Sequence, residues 1–183
     1  MDNNYIDSCV EGIQIWQSSN NNTVTENTII NCQDHAIRFQ YSNDNKVMRN
    51  NITRSGCGTS IYVSNNNTIS NNNYVNNTFQ FSANEDYYLT FGHNRSVNTI
   101  SLNYWSDYNG SDTNNDGKGD TPYVIDEYNK DSYPLVMPYQ ISVTPEPTLE
   151  SEPFPTVLVA TASTATIALV SVGLLVYFKK RKH

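Results

Sequence analysis

The chain has 183 residues, only 16% of them charged, and a formal net charge of −7. Four of its eleven basic residues stand together at 179–182, so the sequence before them carries seven basic and eighteen acidic residues, a net of −11. Such a surface repels nucleic acid and suits cations or neutral glycans. Asparagine makes up roughly one residue in seven, far above ordinary usage.

Residues Met1 to Val10 correspond to the second half of a repeat. Asn4-Tyr5-Ile6 occupies the place that Asn27-Thr28-Ile29 has in the next repeat. Acidic residues interrupt every apolar run in this stretch, so it does not have the form of a secretory signal. We therefore expect further coils and a signal peptide upstream of this sequence in a longer parent protein.

The repeat that follows occurs three times. Each copy opens with a small residue and then alternates apolar and polar residues, in Gly12–Trp16, Ala36–Gln40 and Ser60–Ser64. Alternation at period two indicates strands, and a repeat of about 24 residues indicates a solenoid. The sequence predicts an all-β, right-handed parallel β-helix over 1–102. Its stacked positions are Ile13/Ile37/Ile61, Ile15/Phe39/Val63, Asn22/Asn45/Asn67, Asn27/Asn50/Asn72 and Ile29/Ile52/Tyr74.

The cysteines recur at nearly the same point of successive coils, at Cys9, Cys32 and Cys57. We interpret them as small, partly buried turn residues that repeat with their coil. Two alternatives remain open, one disulfide or a site for a soft metal.

The first strand of each coil carries polar and aromatic residues at its outward positions. Gln14, Arg38 and Tyr62 are expected in one row, with Trp16 and Gln40 beside them. Aromatic faces stack on sugar C–H groups, and amide and guanidinium groups donate to hydroxyls, so this strip is a candidate polysaccharide-binding surface. Scattered surface residues on an exposed sheet would give the same pattern.

The repeat loosens between Val75 and Val97, although Thr78–Phe81 and Tyr87–Phe91 still alternate as short strands do. The coil signature returns once at Asn98-Thr99-Ile100 and stops at Asn103. We expect 103–139 to form a C-terminal cap, because the apolar residues after 120 would cover the last coil.

The segment Asp112–Asp120 has the spacing of a calcium loop. Oxygen donors stand at positions one, three, five and nine, with glycine at six and a backbone carbonyl at seven. Position twelve is Tyr123 where a glutamate would be expected, and Asp126 is the candidate substitute. An aspartate- and glycine-rich turn without metal is the alternative. The predicted Ca²⁺ ligands are Asp112, Asn114, Asp116, the carbonyl of Lys118, and Asp120.

The coils, the ending Asn103–Tyr108, the loop and the segments Thr121–Asp126 and Asp131–Leu135 resemble the NosD-type β-helix family over roughly 1–138. This family is also described as periplasmic copper-binding, or as carbohydrate-binding and sugar-hydrolase β-helix repeats. The resemblance implies an exported parallel β-helix. It does not decide the activity.

The residues themselves give copper little support, since the histidines are isolated and the methionines make no cluster. These residues are His35, His93, Met1, Met48 and Met137.

The C-terminal part predicts a membrane anchor. Residues 140–155 form a linker rich in proline and glutamate, and 156–178 run 23 residues without a charge, about 34 Å as a helix. That length crosses a bilayer as a single transmembrane helix. The basic tail 179–183 would stay in the cytoplasm and leave the β-helix outside. Six Asn-X-Ser/Thr sites would be usable by glycosylation only on an exported chain.

We therefore expect a cell-surface module, single-pass and outside the membrane, that binds a glycan or serves a structural role. Two alternatives stay open. One is a polysaccharide hydrolase or lyase with its active site on missing coils, since no acidic pair stacks in register here. The other is a protein that handles copper in the periplasm.

Overall fold

A computed structural model describes residues 1–83, 92 and 96–141, all within the compact unit Met1–Glu146. These ranges hold fifteen strands and no helix. In chain order the strands are β1 (Tyr5–Asp7), β2 (Glu11–Trp16), β3 (Thr23–Thr25), β4 (Thr28–Ile30), β5 (His35–Gln40), β6 (Lys46–Met48), β7 (Asn51–Thr53), β8 (Cys57–Tyr62), β9 (Thr68–Ser70), β10 (Asn73–Val75), β11 (Phe79–Ser82), β12 (Thr99–Ser101), β13 (Tyr104–Trp105), β14 (Tyr123–Val124) and β15 (Lys130–Asp131).

Two sequence predictions lie outside the described residues. One is the strand at Tyr87–Phe91, and the other is the C-terminal part from 142 onward, with the span 156–178 and the basic tail. Within the described ranges, no helix is long and apolar enough to cross a membrane.

The strands stack into three sheets, and each complete coil contributes one strand to every sheet. Sheet I has the order β1-β4-β7-β10-β13, sheet II β11-β8-β5-β2 and sheet III β14-β15-β12-β9-β6-β3. Every pairing between these strands is parallel except the antiparallel β14–β15. The described chain is therefore a parallel β-solenoid of about three turns, as the repeat predicted.

The core runs along the inside of the three sheets. Its members are aliphatic residues at the stacked positions, closed at one end by Tyr74 and Trp105. Ile13 pairs with Ile37, and Ile29 with Ile52 and then Tyr74, as the repeat predicted.

The predicted register of the third coil in sheet II is wrong by two residues. Ile37 pairs with Thr59 and Phe39 with Ile61, where Ile61 and Val63 were expected. The cause is that two turns are each one residue shorter than in the coil before, namely 41–45 against 17–22 and 54–56 against 31–34. The coil therefore takes 22 residues between His35 and Cys57, against 24 between Glu11 and His35.

Two columns of asparagine side chains hold successive coils together. In the longer column Asn27 Oδ1 accepts hydrogen bonds from the backbone N–H and the Nδ2 of Asn4, at 3.0 and 2.8 Å. Asn50, Asn72 and Asn103 repeat this arrangement coil by coil. The second column lies in the turns directly before the strands of sheet III. It consists of Asn22, Asn45, Asn67, Asn98 and Asn129. The predicted stacks at 22/45/67 and 27/50/72 are thus confirmed.

The residue directly before the asparagine adopts the left-handed backbone conformation, in which the chain turns sharply, throughout the longer column and at Asn22, Asn45 and Asn67 of the second. The position before the column residue does not require asparagine, because Glu26, Arg49 and Leu102 occupy it with φ between 56° and 59°. The asparagines are thus selected mainly at the column positions themselves, where the side-chain amide forms the bonds.

The cysteines separate into two kinds. Cys9 and Cys32 form a disulfide between neighbouring coils, so the interpretation of them as free turn residues is wrong and the disulfide alternative is confirmed. Ser55 continues their column, since its Oγ accepts from the Cys32 N–H at 3.2 Å. Cys57 lies two residues further on, beside His35 in the register of sheet II, and is a buried free thiol.

The longer asparagine column ends in a carboxylate. Asp131 is fully buried, and its two oxygens accept from the N–H groups of Leu102, Asn103 and Tyr133, from Asn103 Nδ2 and from the indole Nε1 of Trp105. These five bonds, of 2.8 to 3.2 Å, offset the cost of burying the charge.

The buried amides should matter more to stability than their exposed counterparts. Asn50→Ala removes the Oδ1 that accepts from Asn27 N and Nδ2. The buried Asn27 N–H is then left without a partner, while Nδ2 keeps its bond to the Thr25 carbonyl at 2.9 Å. We expect a loss of about 2–4 kcal/mol in the free energy of unfolding, measured by urea denaturation. Asn109→Ala, at an exposed position, is the matched control and should change it by less than about 0.5 kcal/mol. Equal losses in both variants would contradict a structural role for the column.

Candidate functional site

The outward face of sheet II is built by alternation along β2 and β5. On β2 the buried Ile13 and Ile15 alternate with the exposed Gln14 and Trp16. On β5 the fully buried Ile37 and Phe39 alternate with the half-buried Arg38 and Gln40. On β8 every residue is buried except the half-buried Tyr62. The period-two pattern therefore places one set of side chains in the core and the other on a continuous surface.

All five predicted glycan-binding residues lie on this face, in two rows rather than in the predicted arrangement. Gln14 pairs with Arg38, and Trp16 pairs with Gln40, which pairs in turn with Tyr62. The two-residue difference in coil length moves Tyr62 out of the row of Gln14 and into the row of Trp16. The position of these residues does not test what the face binds, so glycan recognition stays a prediction.

Arg38 ties the two rows together. Its guanidinium carbon lies 5.2 Å from the centre of the Tyr62 ring, within the range of a cation–π interaction. Its Nη2 donates to Gln40 Oε1 at 3.3 Å and its Nη1 to Glu11 Oε1 at 3.2 Å. Arg38 Nε and Ser60 Oγ, which are neighbours in the register, are buried and have no hydrogen-bond partner among the described residues.

A cluster that the sequence did not predict lies at the start of the same strands. Glu11 pairs with His35 across β2 and β5, and Asp34 directly precedes His35. His35 Nδ1 lies 3.1 Å from Glu11 Oε1 and 3.2 Å from Asp34 Oδ1. Among the described residues, this is where three side chains of the metal-ligating kinds converge. The expectation that His35 is isolated is therefore wrong.

The spacing of 24 residues between Glu11 and His35 was a usable signal for this cluster, since it equals the length of that coil. A pattern of acidic residues in register does not include it, because its two members are of different kinds. A register pair of an acidic residue with a histidine can be recognised from the sequence only when the length of that coil is known.

Cys57 borders the cluster without joining it. A shallow pocket is lined by Asp34, His35, Cys57 and Phe79, and Cys57 Sγ donates to the Thr59 carbonyl at 3.3 Å. Burial, reinforced by the negative charges of Asp34 and Glu11, raises the pKa of the Cys57 thiol to about 12. The group is therefore a neutral thiol at physiological pH and a poor nucleophile.

The predicted calcium loop is folded around its own carboxylates. Asp112 Oδ1 and Oδ2 accept from the N–H groups of Asp116 and Gly117 at 3.1 and 2.9 Å, and Gly117 has the left-handed φ of 83° that such a turn requires. Asp120 accepts from Thr113 N–H and Ser111 Oγ. Those bonds hold the pKa of the Asp120 carboxyl below its usual range, so it stays ionised.

A shallow pocket beside this loop is lined by four of the five predicted ligand residues, Asn114, Asp116, Lys118 and Asp120. Asp126, the candidate for position twelve, instead accepts from the N–H groups of Tyr128 and Asn129 at 2.7 and 2.6 Å. It holds the turn that presents Asn129 to the second asparagine column. Calcium binding remains a prediction, with Asp126 already engaged elsewhere.

Comparison with known proteins gives one result. A family model described as periplasmic copper-binding protein (NosD) matches residues 1–110. The match covers the coils and ends two residues before the predicted calcium loop, so it does not bear on that loop. No curated protein and no solved structure gives a significant match to the chain.

Calcium should stabilise the protein if the loop binds it. Binding to the folded state alone adds about 2.7 kcal/mol at a concentration roughly 100 times Kd. We expect the melting temperature to rise on going from chelator to millimolar calcium, and Asp116→Ala to abolish most of the rise. Glu127→Ala removes an exposed carboxylate outside the loop and should leave the rise intact. A melting temperature that does not respond to calcium would show that the loop is an ordinary polar turn.

Proposed function

The chain belongs to the NosD family, and from this we propose that it is an exported, membrane-anchored β-helix whose sheet II face binds a neutral or weakly charged glycan. The family match and the fold support a periplasmic β-helix module. The ligand and the anchor are our proposal.

The observation that carries the glycan proposal is the row Trp16–Gln40–Tyr62 on three adjacent strands. Trp16 is 47% exposed, so its ring is accessible to a ligand. Adjacent strands lie about 4.8 Å apart, so the row presents two aromatic groups about 10 Å apart with an amide between them. That spacing and chemistry suit successive sugar units of an extended chain lying across the strands.

Polar groups without partners support the same surface. Arg38 Nε and Ser60 Oγ are buried beside this row, with no hydrogen-bond partner in the described part of the chain. Buried donors without partners are rare and costly, and hydroxyl-rich ligands supply the missing acceptors. The positive charge of Arg38 is offset by Glu11, so the face has no strong attraction for polyanions.

A hydrolase on the same face is less favoured by the geometry. Glu11 and Asp34 approach each other there without pairing in register, since Glu11 pairs with His35. Both carboxylates contact one ring nitrogen of His35, at 3.1 and 3.2 Å. A glycosidase needs its two carboxylates on either side of the scissile bond, about 5–10 Å apart with a sugar between them. Here an imidazole fills that space.

The segment that follows the last coil is proposed as the cap of the solenoid. Tyr123 stacks on Trp105 with ring centres 4.3 Å apart and planes inclined by 2°, and Leu135 N–H donates to the Asn103 carbonyl at 2.8 Å. These contacts cover apolar groups and backbone edges that the last coil would otherwise expose.

Export is supported by the Cys9–Cys32 disulfide, because disulfides persist in oxidising compartments. The anchor rests on the sequence of 156–178 and the cations at 179–182, which lie outside the described residues.

Glycan binding can be measured with the full-length chain in detergent on an array of neutral and acidic polysaccharides. We expect binding to neutral or weakly charged members. The Trp16→Ala, Tyr62→Ala double variant should bind about 5- to 150-fold more weakly, since each stacking aromatic contributes about 0.5–1.5 kcal/mol. Tyr133→Ala removes an exposed aromatic outside sheet II and is the control. Unchanged affinity in the double variant would contradict the assigned face, and release of shorter sugars would identify a hydrolase instead.

The orientation in the membrane can be tested on intact cells that express the parent protein with a tag after His183. Added protease should remove the β-helix and leave a tagged membrane stub, because the cations hold the tail in the cytoplasm. Protection of the β-helix until the cells are lysed would show that it faces the cytosol.

A further inference from the structure

We propose that the β-helix carries N-linked glycans at Asn21, Asn66 and Asn76. Each of these residues opens an Asn-X-Ser/Thr sequence, the acceptor pattern for N-linked glycans on exported chains. A fourth asparagine with the same pattern, Asn51, is excluded by its place in the fold. The inference rests on the export of the β-helix proposed above, and it does not depend on what the face of sheet II binds.

The three acceptor asparagines are exposed residues of turns. All three have a left-handed backbone, with φ of 59° at Asn21, 57° at Asn66 and 54° at Asn76. Their backbone is fixed to the neighbouring coil, since Asn66 N–H donates to the Val97 carbonyl at 3.0 Å and Asn76 N–H donates to Ser106 Oγ at 2.9 Å. A sugar on Nδ2 can therefore extend into solvent while these backbone bonds stay in place.

The residue after each acceptor has a different role. Asn22 and Asn67 belong to the second asparagine column. Asn77 is 8% exposed, and its Oδ1 accepts from the Ser55 N–H at 2.9 Å. Of the two consecutive asparagines, the second thus links the coils and the first presents its amide to solvent.

The fold does not itself require the acceptor pattern at these turns. In the second coil the position before the column residue Asn45 is Asp44, with φ of 59°, and the strand of sheet III begins with Lys46 in place of threonine. Both residues are exposed, and the column continues through this coil. The asparagine and the threonine of the first and third coils are therefore not explained by the needs of the turn alone.

Asn51 has the same acceptor pattern in a different environment. It is the half-buried first residue of β7, which lies inside sheet I between β4 and β10. Its Oδ1 accepts from Asn73 Nδ2 at 2.7 Å. Asn73 is 5% exposed and exchanges two further hydrogen bonds with the backbone of Tyr139, at 2.9 and 2.7 Å. A bulky glycan on Asn51 would have to displace these groups, so the folded chain excludes it.

The two remaining acceptor patterns are not included in the proposal. Asn94 lies outside the described residues. At Asn109 the hydroxyl of the pattern belongs to Ser111, whose Oγ already donates to Asp120 Oδ2 at 3.0 Å.

The modification is a group transfer from a lipid-linked oligosaccharide outside the cytoplasm. The bond between sugar C1 and the phosphate oxygen of the lipid carrier breaks, and a bond between C1 and asparagine Nδ2 forms. The lipid phosphate leaves, and one proton of Nδ2 passes to a base of the transferase. The hydroxyl two residues after each asparagine completes the acceptor pattern, and it is supplied by Thr23, Thr68 and Thr78.

The glycans would border sheet II at both ends of its strands. Asn21 and Asn66 lie in the turns that follow β2 and β8, and Asn76 lies in the turn that leads into β11. The sites therefore lie outside the strands that carry the proposed glycan-binding face.

The test is mass spectrometry of peptides from the full-length chain, purified from the membranes of the cells that naturally produce it. We expect sugar on the peptides that contain Asn21, Asn66 and Asn76, and an unmodified mass for Asn51. Thr23→Ala, a change at an exposed side chain, should remove the sugar from Asn21 alone. Thr23→Ser retains the hydroxyl and is the matched control, so it should keep the sugar.

A gain of modification gives a second test. The Asp44→Asn, Lys46→Thr double variant completes the acceptor pattern at exposed positions of the second coil and should acquire one further glycan. Its failure to do so would show that the exposed left-handed turn is not what the transferase accepts.

The protease assay on intact cells separates this inference from its premise. If added protease reaches the β-helix, an unmodified Asn21, Asn66 or Asn76 overturns the assignment of that site, and sugar on Asn51 overturns the selection by the fold. If the β-helix is protected, export has failed and the inference fails with it. Loss of binding on the polysaccharide array leaves the peptide masses unchanged, so it is a separate result.

Discussion

The solenoid depends on one hydrogen-bond arrangement, an asparagine oxygen that accepts from both the backbone N–H and the side-chain amide of the asparagine one coil away. At the turns between sheets, the backbone cannot continue its strand ladder, and buried polar groups there would be left without partners. The columns through Asn27 and Asn45 supply those partners at 2.8 to 3.1 Å. Since asparagine carries both donor and acceptor in one short side chain, the same residue can serve in every coil. The high asparagine content is thus a requirement of the turns.

The asparagine columns could be predicted from the sequence because each stands at a fixed distance before a strand of sheet I or sheet III. The strands of sheet II could not be aligned in the same way. In the third coil, the sequence favours aligning Ser60-Ile61 with Ala36-Ile37, because an apolar residue is expected in the core. In the structure Gly58-Thr59 takes that place, and Ile37 pairs with Thr59. Thr59 is tolerated there since its hydroxyl bonds to the hydroxyl of Tyr74, at 2.9 Å. A polar core position with a partner in another sheet cannot be recognised from one sequence.

The same limit explains what was missed at the candidate site. The five residues of the proposed glycan face could be assigned to one surface because alternation alone fixes which side of a strand they occupy. Which of them pair across neighbouring strands could not be predicted, since that register depends on the length of each coil. The cluster of Glu11, Asp34 and His35 adds a further condition, for Asp34 lies in a turn and approaches His35 through the geometry of that turn. Arg38 then links the two parts of the face, because it contacts Glu11 on one side and Tyr62 on the other.

Asp131, the last residue of the longer column, ends the series of hydrogen bonds that links one coil to the next. Every asparagine in it receives hydrogen bonds from one neighbour and passes its own N–H groups to the next, so a column of asparagines has no intrinsic last member. Asp131 accepts at both oxygens and has no side-chain N–H to pass on. A further asparagine stacked beyond Asp131 would meet a carboxylate that cannot donate to it. Repetitive proteins with matching ends assemble into open-ended fibres. The exchange of one amide for one carboxylate therefore stops the column at Asp131 and withholds the hydrogen bonds that a further coil on that side would need.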